Sequence, residues 1–242
     1  MNQILVSEKL YVTPELKKKK SLFKVVFFLS IFLLCVLSSY GIYAEYDRNK
    51  SESVSQDILG GITFQETKKK KVEETIIIIL NDDSRNIFTE ATEVEEEVAL
   101  EPEQKTVASD GTEYYTIGII QIPEISLEYP ILSTTSPELL KISACKFWGP
   151  NPNEVGNFCI VAHNYRNSKF FSKVPTLEKG AFIHITDLAG RTLTYEVYDK
   201  YVVSPTDTSC TTQRTDGKKE VTLITCTSDN KDRVVVKAKE VR

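Results

Sequence analysis

Histidine is almost missing from this 242-residue chain, which has two, His163 and His184. Methionine and tryptophan occur once each. No Gly-rich phosphate loop, no CxxC pair and no HExxH stands anywhere in the sequence. The nucleotide-cradling, zinc-ribbon and zinc-protease chemistries carried by those patterns therefore have no foothold. A one-sided charge is missing too. Lys and Arg total 30 against 34 Asp and Glu, a formal net charge of −4, so no nucleic-acid partner is expected.

A long hydrophobic run, by contrast, is present. Residues 25–44, VVFFLSIFLLCVLSSYGIYA, contain no charge. About 20 apolar residues are what a helix needs to cross a bilayer. Tyr40 and Tyr43 sit near one end, where amphipathic rings favour the interface. A buried core helix would carry a polar face, and a cleaved signal peptide would have a shorter apolar region and a small-residue cleavage site. The run is read as a retained transmembrane helix. Lys17 to Lys20 and Lys24 precede it, and Glu45 and Asp47 follow. Basic flanks stay on the cytoplasmic side, which places a basic tail (1–24) inside and everything after the span outside.

Residues 45–112 hold 17 acidic and 8 basic residues, with few aromatics. Such a composition buries too little apolar surface to offset chain entropy, so a flexible extracellular stalk is expected. TIIIIL at 75–80 is a local exception, able to pair as a short strand. From residue 113 to 242 charge is balanced, 15 acidic against 16 basic, and strand signals recur. YYTIGIIQIP, ISLEYPIL, NFCIVAH, AFIHIT, LTYEVYDKYVV, EVTLIT and RVVVKAKEV are short, β-branched and aromatic, with turn residues between them. They predict a mainly β barrel or sandwich. TSPELLKISACKFW is read as a short helix capped by Thr135 or Ser136, and residues 165–180 as a loop with one helical turn.

Chemistry concentrates at strand ends. His163 closes the apolar run FCIVA and opens a polar loop, whereas His184 alternates with Phe182 and Thr186 as an ordinary strand residue. Cys226 closes VTLIT, and Arg233 opens the next strand after a six-residue loop. If those two strands are antiparallel neighbours, Cys226 and Arg233 share an edge. A free thiol titrates near about 8.5 and is only slightly ionised at neutral pH, so a nucleophilic cysteine needs a base or cation beside it. Imidazole can move the proton and guanidinium can hold a developing oxyanion. Outside the membrane remain Cys145, Cys159, Cys210 and Cys226. Two disulfides or free thiols are both open to them, and a domain with its own core requires no bridge.

TLITC with Arg233 downstream, His163 after an apolar strand, and the blocks IGIIQIPEISLEYPIL, GNFCIVAHNYRNSKFFSKVPTLEKG and VVSPTDT resemble the sortases, membrane-anchored cysteine transpeptidases of Gram-positive bacteria. The resemblance runs from Tyr115 to the carboxyl end. It implies a closed eight-stranded barrel with Cys226 as nucleophile, His163 as general acid/base and Arg233 as oxyanion or positioning group. The substrates it implies are surface proteins bearing a C-terminal LPxTG-like signal, with a peptidoglycan precursor or a pilin amine as acceptor. Thr225 and Thr227 flank the nucleophile and enter as substrate-binding candidates, with the Thr227 N–H completing an oxyanion pocket. Ala162 stands where the family commonly has Gly, so its methyl is expected at the substrate. The stalk has no Asp-Pro-aromatic lid and 204–219 is short for a class B insertion, which points to a class A- or D-like member. No cofactor is required; calcium fits some relatives, with ligands unassigned here. A catalytically silent tethered β-barrel and a purely hydrolytic cysteine protease are the competing classes.

Overall fold

A computed structural model describes residues 14–64, 103–109 and 111–241. The chain divides into two compact units, residues 1–50 and 51–242. Helix α1 runs from Pro14 to Gly61. Proline at the first helical position suits it, because the N–H it lacks would have no helical partner there. Side chains of the apolar run, among them Phe27, Phe32, Leu34, Leu37 and Tyr40, are exposed. Among the described residues this is one helix long and apolar enough to cross a membrane.

The helix does not stop at residue 44. No Pro or Gly interrupts 45–59, and the breakers Gly60 and Gly61 end it. Within the second unit, Val54 and Ile58 recur at i, i+4 and are buried with Ala108, Tyr114, Leu132 and Cys145. Each such burial contributes roughly 1.5–3 kcal/mol. The Ser55 hydroxyl donates to Ser143 Oγ (3.1 Å), which donates in turn to the Pro130 carbonyl (2.6 Å). The expectation of a flexible stalk is therefore corrected for residues 45–61, and also for strand β1 (Gln104–Val107), which pairs with β2. The lysine cluster at 68–71, TIIIIL at 75–80 and the acidic run at 93–98 lie outside the described residues.

Strands β2 (Glu113–Ile122), β3 (Leu127–Leu132), β4 (Ala144–Trp148), β5 (Gly156–Val161), β6 (Phe182–Asp187), β7 (Thr192–Val203), β8 (Lys219–Cys226) and β9 (Arg233–Glu240) form the barrel. The order is β2-β3-β4-β5-β8-β9-β7-β6, and β6 returns to β2 to close eight strands. One edge of β2 is shared lengthwise: residues 113–116 face β1 and residues 118–121 face β6. Closure there depends on Gly118, since a Cβ would collide with the Thr186 carbonyl oxygen. Alternate residues point inward, among them Ile120, Ile131, Phe158, Ile160, Ile183, Tyr195, Val221, Leu223, Val234 and Val236, and make the core.

The seven expected strands correspond to β2, β3 and β5–β9. The eighth, β4, lies inside the segment expected to be helical. There α2 covers only Leu139–Ile142, with the Ser136 hydroxyl oxygen accepting the Leu139 N–H (3.1 Å). Residues 144–148 turn to strand because β3 and β5 offer pairing on both sides. The loop after β5 contains a 3-10 turn, Phe171–Thr176. All five cysteines are unpaired.

Candidate functional site

Parallel pairing of β5 with β8 sets Val161 against Ile224. Two further bonds carry that alignment past the strand end. The Ala162 N–H donates to the Ile224 carbonyl (3.3 Å), and Asn164 Nδ2 donates to the Cys226 carbonyl (2.9 Å). His163, between them, stands across from Cys226. On the other side of β8, Cys226 is directly paired with Arg233 of β9. Directly opposed residues share a face, with Cβ atoms about 5 Å apart.

Period-two alternation says which face this is. On β5, β8 and β9 the inward residues are Phe158, Ile160, Val221, Leu223, Val234 and Val236. The outward ones are Cys159, Ile224 and Val235, which pack under Cys210, Tyr201 and Val203 as a second apolar cluster. His163, Cys226 and Arg233 follow the outward parity. The three side chains predicted to act together therefore share the outer wall, at the strand ends beyond that apolar cluster. Cys226 is partly exposed, whereas Cys145, Cys159 and Cys210 are buried.

The same parity corrects two expectations, and a hairpin bond corrects a third. Thr225 is 1% exposed, and its hydroxyl donates to the Ala162 carbonyl (2.9 Å), stitching β8 to β5 from within. Ala162 is 3% exposed and belongs to the core, so its methyl does not narrow a substrate groove. The Thr227 N–H donates to the Asp232 carbonyl (3.0 Å) and is thus already engaged as a donor. The Thr227 hydroxyl closes the hairpin, donating to Asp229 Oδ1 (2.6 Å) and accepting from the Asp232 N–H (3.1 Å). That bond holds the Asp229 carboxyl below its ordinary value. Arg233 Nη1 also donates to the Asp232 carbonyl (3.2 Å), which orients the guanidinium along the hairpin.

His163 is half-buried, and its ring lies 5.0 Å from that of Tyr165. Burial, assisted by the nearby Lys141 ammonium, lowers its pKa from the ordinary imidazole value. At neutral pH the ring is therefore an uncharged base, ready to take a proton. Lys141→Gln removes the cationic contribution, and the His163 titration is expected to move upward. The check is the acid limb of the pH–rate profile, which should shift to higher pH. Neither Lys141 nor Asn164 was singled out from sequence. Asn164 had one visible signal, its place directly after His163.

His184 lies elsewhere, on β6, where Nδ1 is 3.0 Å from Thr194 Oγ1. An open groove of about 800 Å³ lined by Lys146, Phe147, Trp148, Val155 and Gln213 borders the start of β5, at the opposite end of the barrel wall from Cys226. Among the described residues no three His, Cys, Asp or Glu side chains gather into a metal-binding set.

Similarity to known proteins falls on the same part of the chain. The profile of the Sortase domain matches residues 120–241. Sortase A of Bacillus anthracis is 33% identical over 123 residues, covering 50% of this chain and 57% of that protein. This chain thus spans little more than half the length of that curated relative. Among solved structures, the Clostridium perfringens sortase D5 transpeptidase is 34% identical with a TM-score of 0.48, over 52% of this chain and 79% of that one. Sortase A from Corynebacterium diphtheriae is 30% identical with a TM-score of 0.49, over 54% and 63% respectively. The profile match begins in β2 and takes in both the His163 strand end and the Cys226–Arg233 hairpin, and on that ground the chain belongs to the sortase family.

Proposed function

We propose that this protein is a membrane-tethered cysteine transpeptidase. It cleaves an LPxTG-like sorting signal between Thr and Gly and transfers the freed acyl group to an amine. The observation that carries this reading is the outward alignment of His163, Cys226 and Arg233 on three neighbouring strands.

The chemistry follows from the charge states. Neutral His163 takes the proton of the Cys226 thiol as sulfur attacks the scissile carbonyl. The carbonyl oxygen becomes an oxyanion, and the Arg233 fork supplies fixed donors to it. Collapse expels the Gly amine, which leaves with the proton His163 had taken, and a thioacyl enzyme remains. A second amine then attacks the thioester, His163 receives its proton, and the thiol re-forms. The acceptor is the amine of a peptidoglycan precursor or of a pilin lysine. The basic flank at 17–20 and 24 keeps the amino terminus cytoplasmic, so the barrel works at the outer surface on surface proteins that carry the signal.

The test uses the full chain in detergent with a panel of quenched sorting-signal peptides and a panel of amines. Ligated product that grows with amine concentration, with a hydroxylamine-labile adduct on Cys226, is the expected result. Hydrolysis unaffected by every amine supports a protease instead. No cleavage of any peptide, together with no adduct, refutes the reading.

A further inference from the structure

The loop that leaves His163 is held in an unusual shape. Asn164 and Phe170 form an isolated bridge, and the Phe171 N–H donates to the His163 carbonyl (3.1 Å), closing the loop directly on the histidine. Phe170 has φ 49° and ψ −133°, a conformation that glycine adopts and bulky side chains avoid. It is also 1% exposed. Such backbone persists only where the surroundings over-determine it, and it clusters at functional sites.

Two contacts hold Phe170 there. Its N–H donates to Tyr129 Oη (3.1 Å), and its ring stacks on Tyr129, with centroids 5.1 Å apart and planes at 14°. The Tyr129 hydroxyl donates in turn to Glu52 Oε1 (2.8 Å). Burial above all raises the Tyr129 pKa, so its proton stays in place to make this bond. Glu52 belongs to the docked end of α1, and its second carboxylate oxygen is buried without a hydrogen-bond partner. An apolar side chain would serve packing at that position better, since a buried acceptor left unmatched is costly. From Phe170 the contacts continue edge-on to Tyr165 (5.5 Å), and from Tyr165 to the His163 ring (5.0 Å).

We infer that Glu52 and Tyr129 are positioning residues for His163: the docked end of the membrane-proximal helix clamps the strained Phe170 turn and thereby holds the imidazole beside Cys226. The helix is on this view a working part of the site as well as a tether. The inference rests on the transpeptidase reading for its rate effect. Its structural half stands on the contacts alone.

The experiment compares Tyr129→Phe, Glu52→Leu and Glu52→Gln with wild type, all as full chains in detergent. Peptide cleavage gives kcat and KM. Histidine-selective NMR follows the titration of His163, tractable because the chain has two histidines. Lys141 on α2 and Tyr165 on its own loop act on that ring, Cys226 on β8 and Arg233 on β9 lie across the strand end from it, and none is altered by these substitutions. For Tyr129→Phe and Glu52→Leu, kcat should fall on the order of tenfold with KM within about twofold. The His163 titration should rise as water reaches a loosened ring. Glu52→Gln keeps an acceptor oxygen and should restore most of kcat. If the variants melt earlier but keep wild-type kcat and His163 titration, the role is structural and the inference fails. Should wild type cleave no peptide, the transpeptidase reading falls, and the NMR comparison still decides whether Glu52 and Tyr129 set the ring. If Tyr129→Phe does not fold, the Glu52 pair decides alone.

Discussion

Alanine in place of Cys226 should leave a folded barrel that cleaves no sorting-signal peptide. The substitution removes one sulfur from a partly exposed position at the end of β8, on the outer wall. Pairing with Arg233 is through the backbone, and so is the bond from Asn164 to the Cys226 carbonyl, so both survive. The stability change should be about 1 kcal/mol or less. The rate change should be far larger. No other cysteine of the barrel can replace the nucleophile. Burial pushes the thiols of Cys145 and Cys159 up to about 12, and both are 0% exposed. The Cys210 thiol is raised by burial as well, within the outer apolar cluster. Losing the nucleophile of a covalent mechanism should lower kcat/KM on the order of 10⁴-fold or more. Parallel melting curves and peptide cleavage rates measure both halves. Undiminished cleavage by the alanine variant would remove Cys226 from the mechanism, and with it the transpeptidase assignment.

Much of this site was legible in the sequence, because strand-end chemistry leaves a linear trace. An apolar β-branched run stopping at Cys226, a six-residue polar loop and Arg233 opening another run describe a hairpin, and β8 and β9 form it with those residues paired. His163 was legible for the same reason. Less legible was the face. In a regular strand, neighbours point to opposite sides, so Cys226 and Thr225 cannot both meet a substrate, nor can His163 and Ala162. The inward pair proves to be Thr225 and Ala162, bonded to each other through hydroxyl and carbonyl. Period-two reasoning applied one step further would have separated them.

Other features were silent for a different reason: they depend on partners distant in sequence. Nothing within 144–148 marks a strand until β3 and β5 lie on either side of it. Nothing in 51–61 looks like part of a barrel until Val54 and Ile58 meet Tyr114, Leu132 and Cys145. Acidic composition argued for a solvated stalk there, yet two apolar residues at i, i+4, with the Ser55 and Glu52 hydrogen bonds, dock the helix end. The Thr227 N–H was lost as an oxyanion donor to a tertiary detail as well, the Asp232 carbonyl of its own hairpin.

Removal of the imidazole should have the second-largest effect, and it separates two roles of His163. On the proposed mechanism, His163→Asn deletes the base that activates Cys226 and the acid that protonates the leaving amine. General acid–base groups contribute about 10²–10⁴-fold, so kcat should fall by that order while peptide binding is kept. Imidazole added to the assay should restore part of the rate, because the cavity left beside Cys226 opens on the outer wall. The same substitution should also change stability against pH. Burial and Lys141 lower the folded-state pKa of His163, so the unfolded chain binds the proton more readily. Between the ordinary imidazole value and the lower folded one, stability then rises with pH and is lost on acidification. Denaturant midpoints measured across that window should show wild type weakening as pH falls, and His163→Asn should flatten the slope. A variant that loses catalysis and keeps the wild-type slope would place a different group in charge of the acid sensitivity. One that flattens the slope and keeps full activity would take His163 out of the chemistry and leave it a buried structural histidine.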